Sequence, residues 1–257
     1  MRMSFIKTEL KDGYAILTIE RIEAMNALSE DVLSDLRKAM SELTANQKMR
    51  GLILTGSGEK AFCAGADINK MAAFSTVQAE AFARLGHESM NTIANANLIS
   101  IAAINGVALG GGLELALSCD IRIASTNARM GLPETGLGII PGFGGTQRLS
   151  RTVGAAAALE IILTGDFVPA GRAYEIGLVN RLCEPAELLS QAEAMMQKML
   201  SKGPDAQRQA RWLVHSGLDQ PLTAGLEREI IGFSELFGGS EPSVGLTAFI
   251  EKKKPQF

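Results

Sequence analysis

The sequence predicts an α/β fold of stacked ββα-like layers followed by an all-helical C-terminal region. Three observations carry this reading. Over residues 1 to about 150, short β-rich apolar runs alternate with glycine turns and helical patterns, in a loose strand–turn–strand–helix rhythm without a strict repeat. From about residue 200 onward the pattern is helical alone. Within the first part, residues 101–118 (IAAINGVALGGGLELALS) pass from an apolar strand through a four-glycine loop into a helical run. The expected division is a core over residues 1–199 and a helical region over 200–257.

Taken in order, YAILTIE (14–20) is a β-rich run entered through Asp12-Gly13. Residues 29–43 read as a helix with Val32, Leu33, Leu36 and Met40 on one stripe. GLILT (51–55) is a short buried strand, and GSGEKAFCAGADI (56–68) a glycine-rich turn. Ser75 opens the next helix, with Gln78 completing a capping box, and that helix runs to about Asn97. After the central stretch comes a strand, DIRIAS (120–125). Residues 128–149 follow, with six glycines, and Pro133 and Pro141 exclude an uninterrupted helix there. From Gly154 the pattern is mostly helical, broken near Gly165, Gly177, Pro185, Gly203 and Pro221 and by one strand-like run, LVNRLCE, around residue 180.

Composition excludes several function classes. A net charge of −3 argues against nucleic-acid binding, which needs a basic face. Cys63, Cys119 and Cys183 lie far apart with no CxxC pair and read as reduced, mostly buried thiols. Two histidines and no HExxH leave no metal site to expect. The opening MRMSFIKTELKDG turns polar too soon for a signal peptide, and the central apolar stretch carries Asn105 and Glu114, so no membrane segment and a cytoplasmic location are expected. GxGxxG, GxxxxGK[ST] and GxSxG are all absent. Catalysis therefore falls to carboxylates and backbone dipoles.

The central stretch has the parts for that. Glycines between strand and helix let a ligand approach the main chain, and the N–H groups of a first helical turn have no intrahelical partners. Such a turn can hold an anion or a developing oxyanion. Glu114 follows Gly111 by three residues, about 4.5 Å along a regular helix axis. By itself this leaves two readings open: an acid or base beside an oxyanion hole, or tight packing with Glu114 capping the turn.

Three motifs then decide the family reading. AFCAGADINKM (61–71), INGVALGGGLELALSCD (104–120) and GLPETGLGIIPGFGGTQRL (131–149), with ERIEAMNAL (20–28) and GLTAFIEKKKPQF (245–257), make the chain resemble the enoyl-CoA hydratase/isomerase family, the crotonases, over essentially its whole length. The resemblance implies a crotonase-type superhelix of ββα turns whose C-terminal helices mediate trimer contacts, with trimers paired as a hexamer. It also implies backbone N–H groups at Ala64 and Gly111 polarising the thioester oxygen. Glu114 would orient and activate water, and Glu134 would exchange the proton at Cα. Gly142, at a helix N-terminus, would help polarise the enoyl group. Gly65, Ala66 and Asp67 would meet the adenine and pantetheine through their main chain, and Phe249 and Lys252 would approach the CoA nucleotide, often from a neighbouring subunit. Lys252–Lys254 also fits a solvated helix end, and Glu23 stands where some relatives carry Lys. Coenzyme A enters as part of the substrate, with no other cofactor. Two acids favour a hydratase over an isomerase, which commonly keeps one; a non-catalytic scaffold of the same fold is the reading from a different class. The acyl pocket is expected near residues 71–74 and the later helices. After residue 200, Trp212, Leu213, Leu226, Ile230, Ile231, Phe233 and Phe237 need burial that a short appendage cannot provide, which also points to oligomers.

Overall fold

The computed structural model describes residues 4–257; the first three residues of the segment read for targeting signals lie outside the described residues. The chain divides into two compact units, one ending at Ala194 and the other beginning at Met195.

In the first unit the expected rhythm is literal. The strands β1 (Ile6–Leu10) and β2 (Tyr14–Ile19) form an antiparallel hairpin, and the helix α1 (Glu30–Ala45) follows. The next layer is β3 (Gly51–Gly56), β4 (Ala61–Cys63), α2 (Ile68–Met71) and α3 (Thr76–Ala94). A third layer is β5 (Ile99–Ile104), β6 (Val107–Leu109) and α4 (Gly111–Leu117). A fourth is β7 (Ile121–Ser125), β8 (Arg129–Gly131), a 3₁₀ turn over Pro133–Leu137 and α5 (Gly145–Val153). The run closes with α6 (Ala155–Thr164), β9 (Val168–Pro169), α7 (Ala170–Glu175) and β10 (Arg181–Cys183).

After the β1–β2 hairpin, the layers that open with β3, β5 and β7 each send their first strand to the large sheet and their second to a smaller one. The large sheet runs β1-β2-β3-β5-β7-β10 and the small one β4-β6-β8-β9. From β2 to β10 the large sheet is parallel, and its register aligns Ile16, Ile53, Ile101 and Ile121 across four strands. In the small sheet β4, β6 and β8 are parallel neighbours. Two asparagines fix the corner between the sheets. Asn26 Nδ2 donates to the carbonyls of Ser57 and Ala61, and Asn105 Nδ2 to those of Gly58 and Ala61, while Asn105 Oδ1 accepts from the Gly56 amide. Amide side chains suit this corner because the chain leaves one ladder there and its backbone groups need new partners.

Local sequence explains the helices that cover the sheets. Ser29 caps α1 by accepting from the Val32 amide, and the helix buries Val32, Leu33, Leu36, Ala39, Met40 and Leu43, the stripe that the periodicity indicates. Ser75 and Gln78 form both bonds of the capping box on α3, which ends at Ala94, three residues short of the expected end. The central helix starts earlier than expected, at Gly111 inside the glycine run, and β6 occupies residues read as loop. Glycine is a poor helix former, but here contact overrides propensity: a Cβ at Gly112 would run into the carbonyl of Cys63 at the end of β4.

The helix α8 (Leu188–Leu200) spans the division between the units. The second unit continues with α9 (Pro204–Gly217), α10 (Leu222–Leu236) and α11 (Glu241–Ile250), in keeping with the helical texture of the sequence. Glu241 accepts from the amides of Asp205 and Ala206, so its carboxylate satisfies the first turn of α9.

Candidate active site

The C-terminal ends of β4, β6 and β8 lie side by side because the three strands are parallel neighbours. Three turns leave those ends: residues 64–67 after β4, Gly110–Glu114 after β6, and Pro133–Leu137 after β8. They border a cavity of about 550 Å³ whose lining is drawn from residues 64–143, mostly apolar, and includes both Glu114 and Glu134. Ligand sites of parallel sheets lie at this edge. Met71 and Phe74 line the cavity as expected, and the rest of its apolar wall comes from Ile68, Leu109 and Pro133 beside the turns, from α3 and from residues 137–143.

Glu114 is 1% exposed, on the first turn of α4. Its Oε1 accepts from the amides of Phe143 at 2.7 Å and Gly145 at 2.6 Å. Gly145 is the first residue of α5, so the carboxylate sits at the positive end of that helix. Burial nevertheless raises its pKa to about 7; the Gly145 amide opposes this, nearby Glu134 adds to it, and the Phe143 amide and the Arg148 charge oppose it. A carboxyl group that titrates near neutrality and is held by two amides is suited to take or give a proton. It does not cap its own helix, so the packing-only reading of Glu114 loses its main role.

Glu134 sits on the 3₁₀ turn Pro133–Leu137. Burial raises its pKa too, and its Oε2 is buried without a hydrogen-bond partner among the described residues. A buried carboxyl oxygen without a partner is costly unless a ligand or water meets it. Gly110 makes room for it: at φ 50 it takes a conformation that L side chains rarely adopt, and a Cβ there would lie 2.7 Å from Glu134 Oε1.

One expected donor is already used. The Ala64 amide donates to the Met25 carbonyl at 3.0 Å, so it is not available to a thioester oxygen in this structure. The next residues of the turn pair with Leu28 instead. The Leu28 amide donates to Gly65 O and the Asp67 amide to Leu28 O, which makes Ala66 the bridged residue. In a parallel bridge the central residue's own N–H points away from that partner. Ala66 lines the cavity, and its amide has no hydrogen bond within the protein among the described residues; the same holds for the Gly111 amide.

The other expected contacts are spread. Gly65 and Ala66 line the cavity. The Asp67 carboxylate is held by Arg21 at 3.0 Å, while Arg21 also donates to the Ala27 carbonyl, so this side chain ties the turn to the segment before α1. Gly142 lines the cavity three residues ahead of α5, and the first amide of α5, that of Gly145, goes to Glu114. Phe249 and Lys252 belong to the second unit, with Phe249 82% exposed. Cys63 and Cys119 are buried and free, and burial pushes the Cys63 thiol up to about 12, so it stays protonated. Among the described residues no cluster of three or more His, Cys, Asp or Glu could hold a metal, and no helix is long and apolar enough to cross a membrane.

The residues that sequence reasoning missed are Phe82 and Phe143. Phe74 and Phe82 pack edge to face at 5.4 Å, and Phe82 and Phe143 at 5.2 Å, along the cavity wall. No local pattern marks them, since the row joins residues from α3 and from the segment before α5.

Comparison with known proteins places this geometry. A family model described as enoyl-CoA hydratase/isomerase matches residues 9–257. The short-chain-enoyl-CoA hydratase of Clostridium acetobutylicum is 42% identical over 254 residues, covering 99% of this chain and 97% of the relative. The crotonyl-CoA hydratase of Syntrophomonas wolfei is 42% identical over 249 residues, covering 97% and 96%. The crystal structure of an enoyl-CoA hydratase from Bacillus anthracis matches with a TM-score of 0.95 at 37% identity, covering 99% of both chains. On fold, site geometry and a match that spans nearly every residue, the chain belongs to the enoyl-CoA hydratase/isomerase family.

Proposed function

We propose that the protein is an enoyl-CoA hydratase that adds water across the 2,3 double bond of a short-chain trans-2-enoyl-CoA to give the 3-hydroxyacyl-CoA. The observation that carries this is the pair of carboxyl groups in one apolar cavity, Glu114 buried and Glu134 half-buried with its Oε2 out of solvent. Hydration moves two protons in opposite senses: one leaves water as its oxygen bonds to Cβ, and one arrives at Cα. Two carboxyl groups on one water can do both, each contributing about 10²–10⁴-fold. Glu114 orients and deprotonates the water, and Glu134 delivers the proton at Cα. The names of the two relatives, short-chain-enoyl-CoA and crotonyl-CoA hydratase, support the substrate class.

Negative charge gathers on the thioester oxygen as the water adds. The Gly111 amide is one donor for it, and the Ala66 amide takes the place that the sequence suggested for Ala64. The main chain of 65–67 meets the CoA arm, Gly142 helps polarise the enoyl group, and Phe249 and Lys252 serve the nucleotide end. Coenzyme A enters with the substrate, and no other cofactor is called for. The second unit supports homo-oligomers, trimers paired as hexamers: Ile230, Ile231, Phe233 and Phe237 are each more than half exposed. A cytoplasmic setting fits the reduced cysteines.

Hydration and isomerisation separate in one experiment. The enzyme is incubated with trans-2- and 3-enoyl-CoA of four carbons in D₂O. A hydratase places one solvent deuterium at Cα of the 3-hydroxyacyl product and works faster on the 2-enoyl substrate. Faster turnover of the 3-enoyl isomer would give the isomerase reading instead.

A further inference from the structure

The helix α3 turns one stripe toward the cavity and the Phe143 ring: Ala79, Phe82, Ala83 and Gly86, at helical spacings of three and four. Three of these are small. A Cβ on Gly86 would run into the Phe143 ring, so the ring lies flush against the helix there. Phe82, 8% exposed, is the one bulky side chain on the stripe.

The cavity has an open and a closed end. Ile68, Leu137 and Ile140 are exposed and mark the mouth, through which a CoA arm would leave. Phe82 and Phe143 are buried and mark the closed end. Phe143 also gives its amide to Glu114, so the aromatic row Phe143–Phe82–Phe74 starts at the reacting centre. The β-carbon of the substrate must lie beside Glu114. A four-carbon acyl group ends one carbon beyond it, whereas a longer tail continues into the row.

We propose that Phe82 is the residue that sets the acyl-length limit of this cavity. The inference rests on the reading above for its occupant, an acyl thioester of CoA. Removing the ring enlarges the cavity beside Ala79 and Ala83, the small residues of α3 that also line it, and gives a tail longer than four carbons room there. Each methylene newly buried strengthens binding roughly fourfold.

The test measures binding as well as turnover, so that the two readings fail separately. Butanoyl-CoA and octanoyl-CoA are titrated by calorimetry into the parent, Phe82→Ala and Phe82→Leu, and hydration of the four- and eight-carbon trans-2-enoyl-CoA is followed in parallel. In the parent, octanoyl-CoA gains less than fourfold per added methylene. In Phe82→Ala the octanoyl-to-butanoyl affinity ratio rises at least about tenfold, with a smaller rise in Phe82→Leu, which keeps apolar bulk and guards against a misfolded alanine variant. General damage to the fold would weaken both ligands together and leave the ratio unmoved. A ratio unmoved within about twofold in both variants overturns the assignment, as does a parent that already gains the full increment through eight carbons. If the ratio shifts while no chain length is hydrated, the length limit stands and the hydratase reading falls.

Discussion

Glu114→Gln should make the protein more stable and nearly inactive, and the stability gain should depend on pH. Burial raises the folded-state pKa of Glu114 from 4.5 to about 7. The sign follows from proton uptake. Between these values the folded chain binds more protons at this site than the unfolded chain does, so stability falls as pH rises. The loss is small below about 4.5 and complete above about 7. At about 1.36 kcal/mol per pH unit, ionised Glu114 costs the fold on the order of 3 kcal/mol at pH 8, and below about 1 kcal/mol at pH 5. Glutamine keeps the acceptor that Phe143 and Gly145 need and carries no charge to desolvate. The variant should therefore gain up to about 3 kcal/mol at pH 8, about 6–12 °C in Tm for a chain of this size, and little at pH 5. Denaturant and thermal unfolding of parent and variant at both pH values would measure it, with hydration of crotonyl-CoA falling at least about a hundredfold. Equal stability of the two chains at both pH values would show that Glu114 is not held as a costly buried carboxylate, and the proposed base would lose its physical basis.

The other predictions concern the same cavity. In the parent, kcat/KM for hydration should be bell-shaped in pH, rising as Glu114 ionises near 7 and falling as Glu134, whose pKa burial also raises, loses the proton it delivers; a profile flat across both limbs would remove the pair as base and acid. Glu134→Gln should cut hydration by at least about a hundredfold, and the double variant should be little worse than the weaker single one, because the two acids act on one water. Gly110→Ala places a methyl at φ 50 against Glu134, so denaturant unfolding should show a loss of about 1–2 kcal/mol and steady-state assays a lower kcat.

The layered fold was legible because its helices and the large-sheet strands β2, β3, β5 and β7 follow simple rules, while β1, polar and mostly exposed, went unread. The α1 stripe and the Ser75 capping box depend on neighbours three and four residues apart, and they came out as read. The small sheet did not, since three-residue strands such as β4, β6 and β8 are too short to show alternation. The start of α4 at Gly111 was hidden because intrinsic propensity points the other way and only contact with Cys63 explains it. At the site, the residue types of Glu114 and Glu134 announced chemistry. Their burial, and the capture of Glu114 by amides of residues 143 and 145, depend on contacts that no local pattern encodes. The Ala64 assignment shows a sharper limit. Which N–H of the turn is free depends on its contacts with residues 25–28: Met25 takes the Ala64 amide while Leu28 bonds on either side of Ala66, and no local pattern encodes either contact.

The three turns that leave β4, β6 and β8 each bring a different reagent to the cavity. The first carries the Ala66 amide, the second the Gly111 amide with Glu114, and the third Glu134. Under the proposed function, the second turn joins a donor for the thioester to the base, whereas Glu134 comes from a layer that carries neither proposed donor. A replacement at position 134 would then alter what happens at Cα while the amides at 66 and 111 keep their places in other layers. On that reading the third turn is where the fate of the acyl group can change with the grip on the thioester left intact.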